Sequence, residues 1–406
     1  MTDKSVPKPG FLNAFRYRSF RFQWPSDLLS SWGMEMESLI LGWFVLVETD
    51  SAIALALIAA LHYGGSLISP FFGVVADRVQ RRSMLIVMRV VYAGLAGMIM
   101  VLALLDIVKP WHLFVIAGIS GLIKPSDLLV RNSLIADSVP VSDLRNAMGI
   151  ARTTMDSARI IGALMGAGLL SWIGLGPAYG AVVGLYLGAA LCSCGISVRR
   201  ELPLERTRPW MDLKSGLSYI RGDRILAPTL LLAFFANLTA IPVSHGLLPV
   251  LAKDVYVTDE NGLAALVAAF AVGALIGSLL MATTLGGSRP GRTMLVHLLG
   301  WHVLIIVMGQ LEGLLSGLVM ITLIGAAQSF AMIAMAVLLL STAQEAYRGR
   351  VSGVRMLAVY GLPMGLLLGG VLIEWLGVPT TFTLYGASGL VVVLIIALRW
   401  PEVMKC

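Results

Sequence analysis

Apolar residues fall in long blocks along this 406-residue chain, not in the narrow stripes of a water-soluble helix. Twelve such blocks run at approximately 27–47, 53–75, 83–105, 111–135, 146–172, 176–198, 225–252, 262–285, 292–311, 314–340, 350–375 and 378–398. Each is about 20 residues long, enough for a helix to cross about 30 Å of hydrocarbon. The first, fourth, fifth and seventh are interrupted by charge or proline. The pattern predicts an all-α membrane protein with twelve transmembrane helices.

Basic residues orient these spans. With the N-terminus in the cytoplasm, twenty-two Lys and Arg fall in cytoplasmic segments and only Lys109 and Lys253 in the opposite loops. Both termini are thus expected inside, in a bacterial inner (plasma) membrane. The longest polar stretch divides the spans six and six. The expected parts are a cytoplasmic N-tail (1–26), an N-terminal six-helix bundle (27–198), a cytoplasmic linker (199–224), a C-terminal six-helix bundle (225–398) and a C-tail (399–406). Within the linker, Trp210, Leu213, Leu217 and Ile220 recur at helical spacing. An amphipathic helix on the membrane surface and a disordered basic linker both fit. Phe11, Phe15, Phe20 and Phe22 among Arg16, Arg18 and Arg21 suit the lipid headgroup region.

Composition agrees. Hydrophobic residues make up 57% of the chain and charged ones 13%, about half the share of a soluble domain. The net charge of +7 would suggest nucleic acid in a soluble protein, but here the basic residues lie where membrane topology puts them. No nucleic-acid partner is expected. Cys192 and Cys194, two apart on a helix, diverge, so no disulfide framework is expected. The first 26 residues lack an uninterrupted apolar core, so the first span should serve as the insertion signal. There is no Gly-x4-Gly-Lys-Ser/Thr, His-Glu-x-x-His, Cys-x-x-Cys or Gly-x-Ser-x-Gly. Neither an enzyme nor a cofactor or metal site is indicated.

A repeat supports the six-plus-six division. A shift of 203 residues places Gly162 on Gly365, Gly166 on Gly369, Trp172 on Trp375 and Gly174 on Gly377. The fifth and eleventh spans therefore look alike and run the same way, as in transporters built from parallel halves.

The sharpest motif is GVVADRVQRR, Gly73 to Arg82, between spans 2 and 3. Gly73 permits tight packing at a helix end. Asp77 is an anion suited to a helix N-terminus or an arginine. Arg78, Arg81 and Arg82 hold the loop inside and can pair across the bundle interface. The equivalent loop of the second half, LGGSRPGRTM, keeps Arg289 and Arg292 but has no acid. This makes a one-sided latch, with Asp77 against the start of span 11 near Gly349 to Gly353. The loop resembles the Gly-x-x-x-Asp-Arg-x-x-Arg-Arg signature of the major facilitator superfamily. The run from Arg18 to Trp24, the segment around Gly42, and Leu144 to Gly162 are similar to one branch, the bacterial twelve-span exporters that include the enterobactin exporter and macrolide-efflux-like proteins. The resemblance implies two pseudo-symmetric six-helix bundles acting as a monomer, and export driven by a proton gradient. The chain departs from drug–proton antiporters in two ways. Leu113 to Leu122 lacks their span-4 arginine, and the fifth span reads GALMGAG without their proline.

Ionisable residues inside a membrane are costly and mark function by default. Eight stand out: Glu35 and Glu37 in span 1; Lys124, Asp127 and Arg131 in span 4; Arg152, Asp156 and Arg159 in span 5. Glu35 lies on a small-residue face with Ser31, Ser38 and Gly42. Glu37 lies about 200° round the helix. Only one is expected to face a cavity, with Glu37 the first choice as proton carrier. Counting from the loop between spans 4 and 5 sets Asp156 between Arg131 and Lys124 in depth, and Asp127 between Arg152 and Arg159. A shared network is expected, with Arg131 and Arg159 free for an anionic solute. The second half has only Arg355, His245, His297 and His302. His62 and Tyr63 either line a cavity or pack. The glycine ladders Gly180-Gly184-Gly188, Gly273-Gly277 and Gly361-Gly365-Gly369 should allow helices to approach closely.

The function that follows is secondary active transport of a small organic solute, siderophore-like or amphiphilic and drug-like, by alternating access. Its expected partners are the solute, the bilayer and protons. Flipping of a lysophospholipid is one alternative. A non-transporting receptor or assembly factor is another.

Overall fold

The computed structural model describes residues 13–67, 80–197, 209–284, 289–344 and 347–406. No strand occurs among them. The first half comprises α1 (Arg18–Thr49), α2 (Ala52–Leu61), α3 (Arg81–Leu104), α4 (Pro110–Ser138), α5 (Val141–Ile173) and α6 (Leu175–Cys194). The linker contributes α7 (Pro209–Arg221). The second half has α8 (Leu226–Thr239), α9 (Glu260–Thr284), α10 (Pro290–Met308), α11 (Leu314–Thr342), α12 (Arg348–Ala358) and α13 (Gly361–Arg399). α12 and the first part of α13 form span 11. Gly377 breaks α13, and span 12 follows.

The result is twelve spans in two bundles. Seven described helical stretches are long and apolar enough to cross a bilayer, the last being the joined pair Arg348–Arg399. The polar α1 and α5 and two interrupted spans complete the set. Span 1 starts earlier than its apolar stretch suggests, because Arg18 to Trp24 is already helical.

Within the first half, α1 packs between α5 and α6, and α3 lies on α6. In the second half, α9 and α10 pack on α11, and α13 packs on α8 and α10. The halves meet along α5 with α9 and along α2 with α13. Two of the expected close approaches occur. Gly273 faces the Thr322 carbonyl, and Gly365 faces the Leu238 carbonyl, where a side chain would have no room. The ladder at 180–188 differs: Gly184 has open space where a side chain would go, and its neighbours meet only side-chain ends.

The repeat is structural. Gly162 and Gly166 seat α5 on Trp32–Met36 of α1, as Gly365 seats span 11 on α8. Both repeats end at a tryptophan largely outside the protein, Trp172 at 88% and Trp375 at 78% exposure. This is the position of an interfacial aromatic belt.

Two peripheral expectations change. The linker forms a helix, but α7 docks on α12: Gly216 abuts Arg350 and Val354, Ile220 is buried, and Tyr219 stacks on Tyr347 at 4.2 Å. Phe20 does not face headgroups. It is buried with Ala14, Ile135, Val139, Ala147 and Ile150, and Phe15 packs edge-on against it. These aromatics lock the N-tail onto the end of α4 and the start of α5, where Tyr17 donates to Asp143 at 2.6 Å.

Candidate functional site

Two spans break at the same level. Span 2 leaves the α-helix after Leu61 and turns through His62 and Tyr63 into a short 3-10 segment, Gly64–Leu67. Span 7 breaks at Ala240, resumes as Ile241–His245, and continues through Leu248–Val250 into a π-helical turn, Leu251–Val255. Pro242 and Pro249 cannot donate to the preceding turn, which accounts for the interruption. Breaks of this kind persist at membrane depth only inside protein or beside a cavity. Here they deliver His62, Tyr63, Ser244 and His245 to a cavity of about 430 Å³ between the bundles.

The cavity draws Glu35 from α1, Lys124 from α4 and Arg159 from α5. Its remaining wall is mostly apolar, including Leu39, Leu55, Ile58, Val267, Phe270 and Met356. The Arg159 Nε lies 3.8 Å from Glu35 Oε1. Its Nη2 reaches 2.6 Å to His245 Nε2 across the bundle interface. The guanidinium also sits 5.7 Å from the Phe270 ring centre. An arginine can only donate, so His245 Nε2 must accept and Nδ1 carries the proton. Nδ1 then donates to Ser244 Oγ at 3.0 Å, and Ser244 donates to Gln328 Oε1 at 3.3 Å. Lys124 makes no hydrogen bond or ion pair among the described residues.

One wall of the cavity is backed by a charged quartet, of which Asp127 and Arg131 also reach the lining. Arg89 of α3, 0% exposed, binds Asp127 at 2.5 Å and Asp27 at 3.4 Å. Arg131 binds Asp27 at 2.9 Å and Asp127 at 3.7 Å. Gln23 donates to the Arg131 carbonyl at 2.9 Å, and Arg131 donates to Ser31 at 3.0 Å. Two arginines and two aspartates sum to zero, so this group is buried without a net charge.

Several expected pairings are therefore corrected. Asp127 and Arg131 pair with α1 and α3, not with α5. The depths counted from the loop were compatible, but α4 turns that face toward α1 and α3. Arg131 touches the cavity, yet its donors are committed to Asp27, Asp127 and Ser31. Arg152 and Asp156 bind each other along α5 at 3.1 Å and are not among the cavity-lining residues. Glu37 is 2% exposed and accepts from Tyr186 of α6 at 2.8 Å, sealed from the cavity. Glu35, whose Cβ packs closely on Gly162 as expected, still extends its carboxylate to the cavity. The missed participants were Asp27, Arg89 and Ser244, and His245 was noted only as one of the few ionisable residues of the second half. Arg89 was visible as a lone basic residue in an apolar span, which by itself calls for a buried acid.

Of the loop motif, Gly73, Asp77 and Arg78 lie outside the described residues. Arg81 pairs with Asp137 at 2.6 Å, and Arg82 donates to the Cys194 carbonyl at 2.5 Å. Both contacts stay within the first bundle and do not cross the interface. At the opposite end the bundles are tied together. Lys253 pairs with Asp50, holding its carboxyl below the usual range by hydrogen bond and charge. Glu374 accepts from Ser51 Oγ and from the Ile53 backbone N–H at 3.0 Å. Asn261 donates to Ser171 at 3.4 Å. The cavity is thus closed at the Asp50 end. Among the described residues no group of three His, Cys, Asp or Glu side chains could form a metal site.

Two bundles closed at one end around a polar pocket with apolar walls define a membrane transporter. The Major Facilitator Superfamily profile matches residues 23–364, and the chain belongs to that family. An uncharacterized MFS-type transporter, YfiS of Bacillus subtilis (strain 168), is 21% identical over 335 residues, covering 79% of this chain and 78% of that protein. Solved structures share the fold at low identity. The POT family transporter PepTSo superposes with a TM-score of 0.75 at 14% identity, covering 96% of this chain and 98% of that one. The nucleoside transporter NupG gives 0.70 at 13%, covering 93% and 98%. The E. coli fucose:proton symporter FucP gives 0.61 at 17%, covering 94% and 98%.

Proposed function

We propose that this protein exports a small organic solute across the bacterial inner membrane by alternating access, as a monomer with both termini in the cytoplasm, and draws on an ion gradient carried by protons. The observation behind this reading is the cavity itself: ionisable groups of the first bundle, Glu35, Lys124 and Arg159, meet His245 of the second around one shared space. A site shared by both halves is one whose contents change when the halves rock. The outward direction follows from the resemblance of Arg18–Trp24 and Leu144–Gly162 to the exporter branch, and a siderophore-like or drug-like solute follows from the same source. The excess of basic residues on the face bearing the termini supports their cytoplasmic location.

The test is reconstitution of the full chain into proteoliposomes, with a panel of labelled organic solutes and imposed proton gradients of either sign. Accumulation of one class that reverses with the gradient is the expected result. Solute movement indifferent to the gradient overturns proton coupling. Absence of movement for every class overturns the transport reading.

A further inference from the structure

We infer that the cavity binds an amphiphilic organic anion, with Lys124 and Arg159 as its anion site and Glu35 as the internal counter-ion that it displaces. The inference rests on the transport reading and adds the class of solute. It begins with a count of charge. Five acidic or basic side chains line the cavity: Glu35, Lys124, Asp127, Arg131 and Arg159. Asp127 and Arg131 belong to the neutral quartet completed by Asp27 and Arg89. What remains on the lining is one carboxylate against two basic groups, with Glu37 acting on Lys124 from behind the wall. His245 does not change the sum, because accepting a bond from Arg159 requires it to be neutral.

A basic group beside apolar walls is unfavourable unless something pairs with it. Lys124 has no bonded partner among the described residues. Arg159 has one long contact to Glu35, at 3.8 Å, beyond hydrogen-bond range. Its fork therefore retains donors for a carboxylate, sulfonate or phosphate oxygen. The same walls specify the rest of the ligand. Phe270, beside the Arg159 guanidinium, and Leu39, Leu55 and Val267 of the lining offer aromatic and apolar surface. A volume of about 430 Å³ lies within the roughly 300–1,000 Å³ of pockets for drug-sized ligands.

Glu35 occupies the place of the ligand's charge. It faces Arg159 from α5, Lys124 from α4, and Tyr63 of the span-2 break. While ionised, it competes with the incoming anion for both cations. Protonated, it releases them. Anion affinity should rise on acidification, and Glu35→Gln should bind more tightly than the parent and lose that dependence.

The experiment measures thermal unfolding of the purified full chain in detergent with matched probes: 2-naphthoate, 2-naphthylmethylammonium, neutral 2-naphthalenemethanol and lysophosphatidylglycerol. Naphthoate should raise the midpoint, with the ammonium and the alcohol giving no shift at equal concentration. Lys124→Gln and Arg159→Gln should each weaken apparent naphthoate affinity about tenfold. Lys124→Arg should restore it, which separates lost charge from misfolding. Equal stabilisation by the ammonium or alcohol, no stabilisation by naphthoate, or full anion preference in Lys124→Gln overturns the inference. Stabilisation by the lysolipid alone overturns it too, assigning the anionic group to a lipid headgroup. Proteoliposome flux of naphthoate separates the two proposals. An anion bound selectively but not moved sinks the transport reading and leaves the site standing.

Discussion

Gly174 and Gly377, 203 residues apart, adopt the same backbone conformation, with φ and ψ of 78° and 178° in one and 77° and 169° in the other. Each is the corner between the fifth and sixth spans of its bundle. This region of backbone space is open almost solely to glycine. A methyl group at Gly174 would meet no neighbour, and at Gly377 only Pro379 at 3.8 Å. The cost of Gly174→Ala and Gly377→Ala is therefore conformational, about 1–3 kcal/mol each. Thermal unfolding in detergent should show two similar decreases. A large loss at one site and none at the other would refute their equivalence.

The corners, the Trp-x-Gly endings and the six-plus-six division were legible because they are local: a residue type repeated at a fixed offset. Which charges meet was not. Helical spacing places Lys124, Asp127 and Arg131 on one face of α4, but it does not say which neighbour that face addresses. Pro25 within α1 and Pro125 within α4 add bends that ideal geometry omits. The contrast between Glu35 and Glu37 was legible as an angle, yet which of the two reached the cavity depended on where α6 stands. The breaks in spans 2 and 7 were only partly signalled. Pro242 and Pro249 announce one. His62-Tyr63-Gly64-Gly65 announces the other only once α4 is seen to press on it at Gly65.

Arg89 should be the most damaging charge to remove. Arg89→Leu leaves Asp27 and Asp127 with one arginine between them, an uncompensated buried charge costing about 3–5 kcal/mol. Detergent-solubilised protein should lose its monodisperse gel-filtration peak. Lys124→Leu, which breaks no bond, should retain it. Equal behaviour of the two would show that the quartet does not stabilise the bundle.

Glu37 and Glu35 should separate in function. Glu37→Gln keeps a partner for Tyr186, so uptake into inverted vesicles should keep its pH dependence. Tyr186→Phe should lower stability by about 1–3 kcal/mol, the cost of leaving a buried polar group without its partner. Glu35→Gln should flatten the pH profile. A flat profile in Glu37→Gln with a normal one in Glu35→Gln would reverse the assignment.

The Lys253–Asp50 pair predicts an acid-sensitive closure at the Asp50 end of the cavity. Because Lys253 depresses the Asp50 pKa in the closed form, its contribution is fully present above the value of a free aspartate, near 4. It is lost as pH falls through the depressed value. Spin labels at Glu48 and Thr258 should therefore give one short distance at pH 5 and 7 alike. Longer distances should appear only below about pH 4, and at all pH values in Asp50→Asn. An unchanged short distance in Asp50→Asn would assign closure to Glu374 and apolar packing.

Asp77 is expected to hold the opposite end shut against the start of span 11. A contact between an anion and a helix end is worth about 0.3–2 kcal/mol. Asp77→Asn should then leave folded yield unchanged while reducing transport severalfold. Full transport at equal expression would remove the latch.

The buried quartet also carries a schedule for biogenesis. Ribosomal order delivers Asp27 first, Arg89 next, and Asp127 with Arg131 last. Summed over these four residues alone, the charge in the membrane runs from minus one to zero and stays there. Arg89 need not wait for span 4, because the oldest span already holds its counter-ion. That works only if span 1 lingers beside the translocon until span 3 emerges, since insertion of a lone arginine is disfavoured by about 2.5–3.5 kcal/mol. A nascent chain stalled after span 2 holds the first carboxylate without its cation, and this is the stage at which membrane quality control should find it.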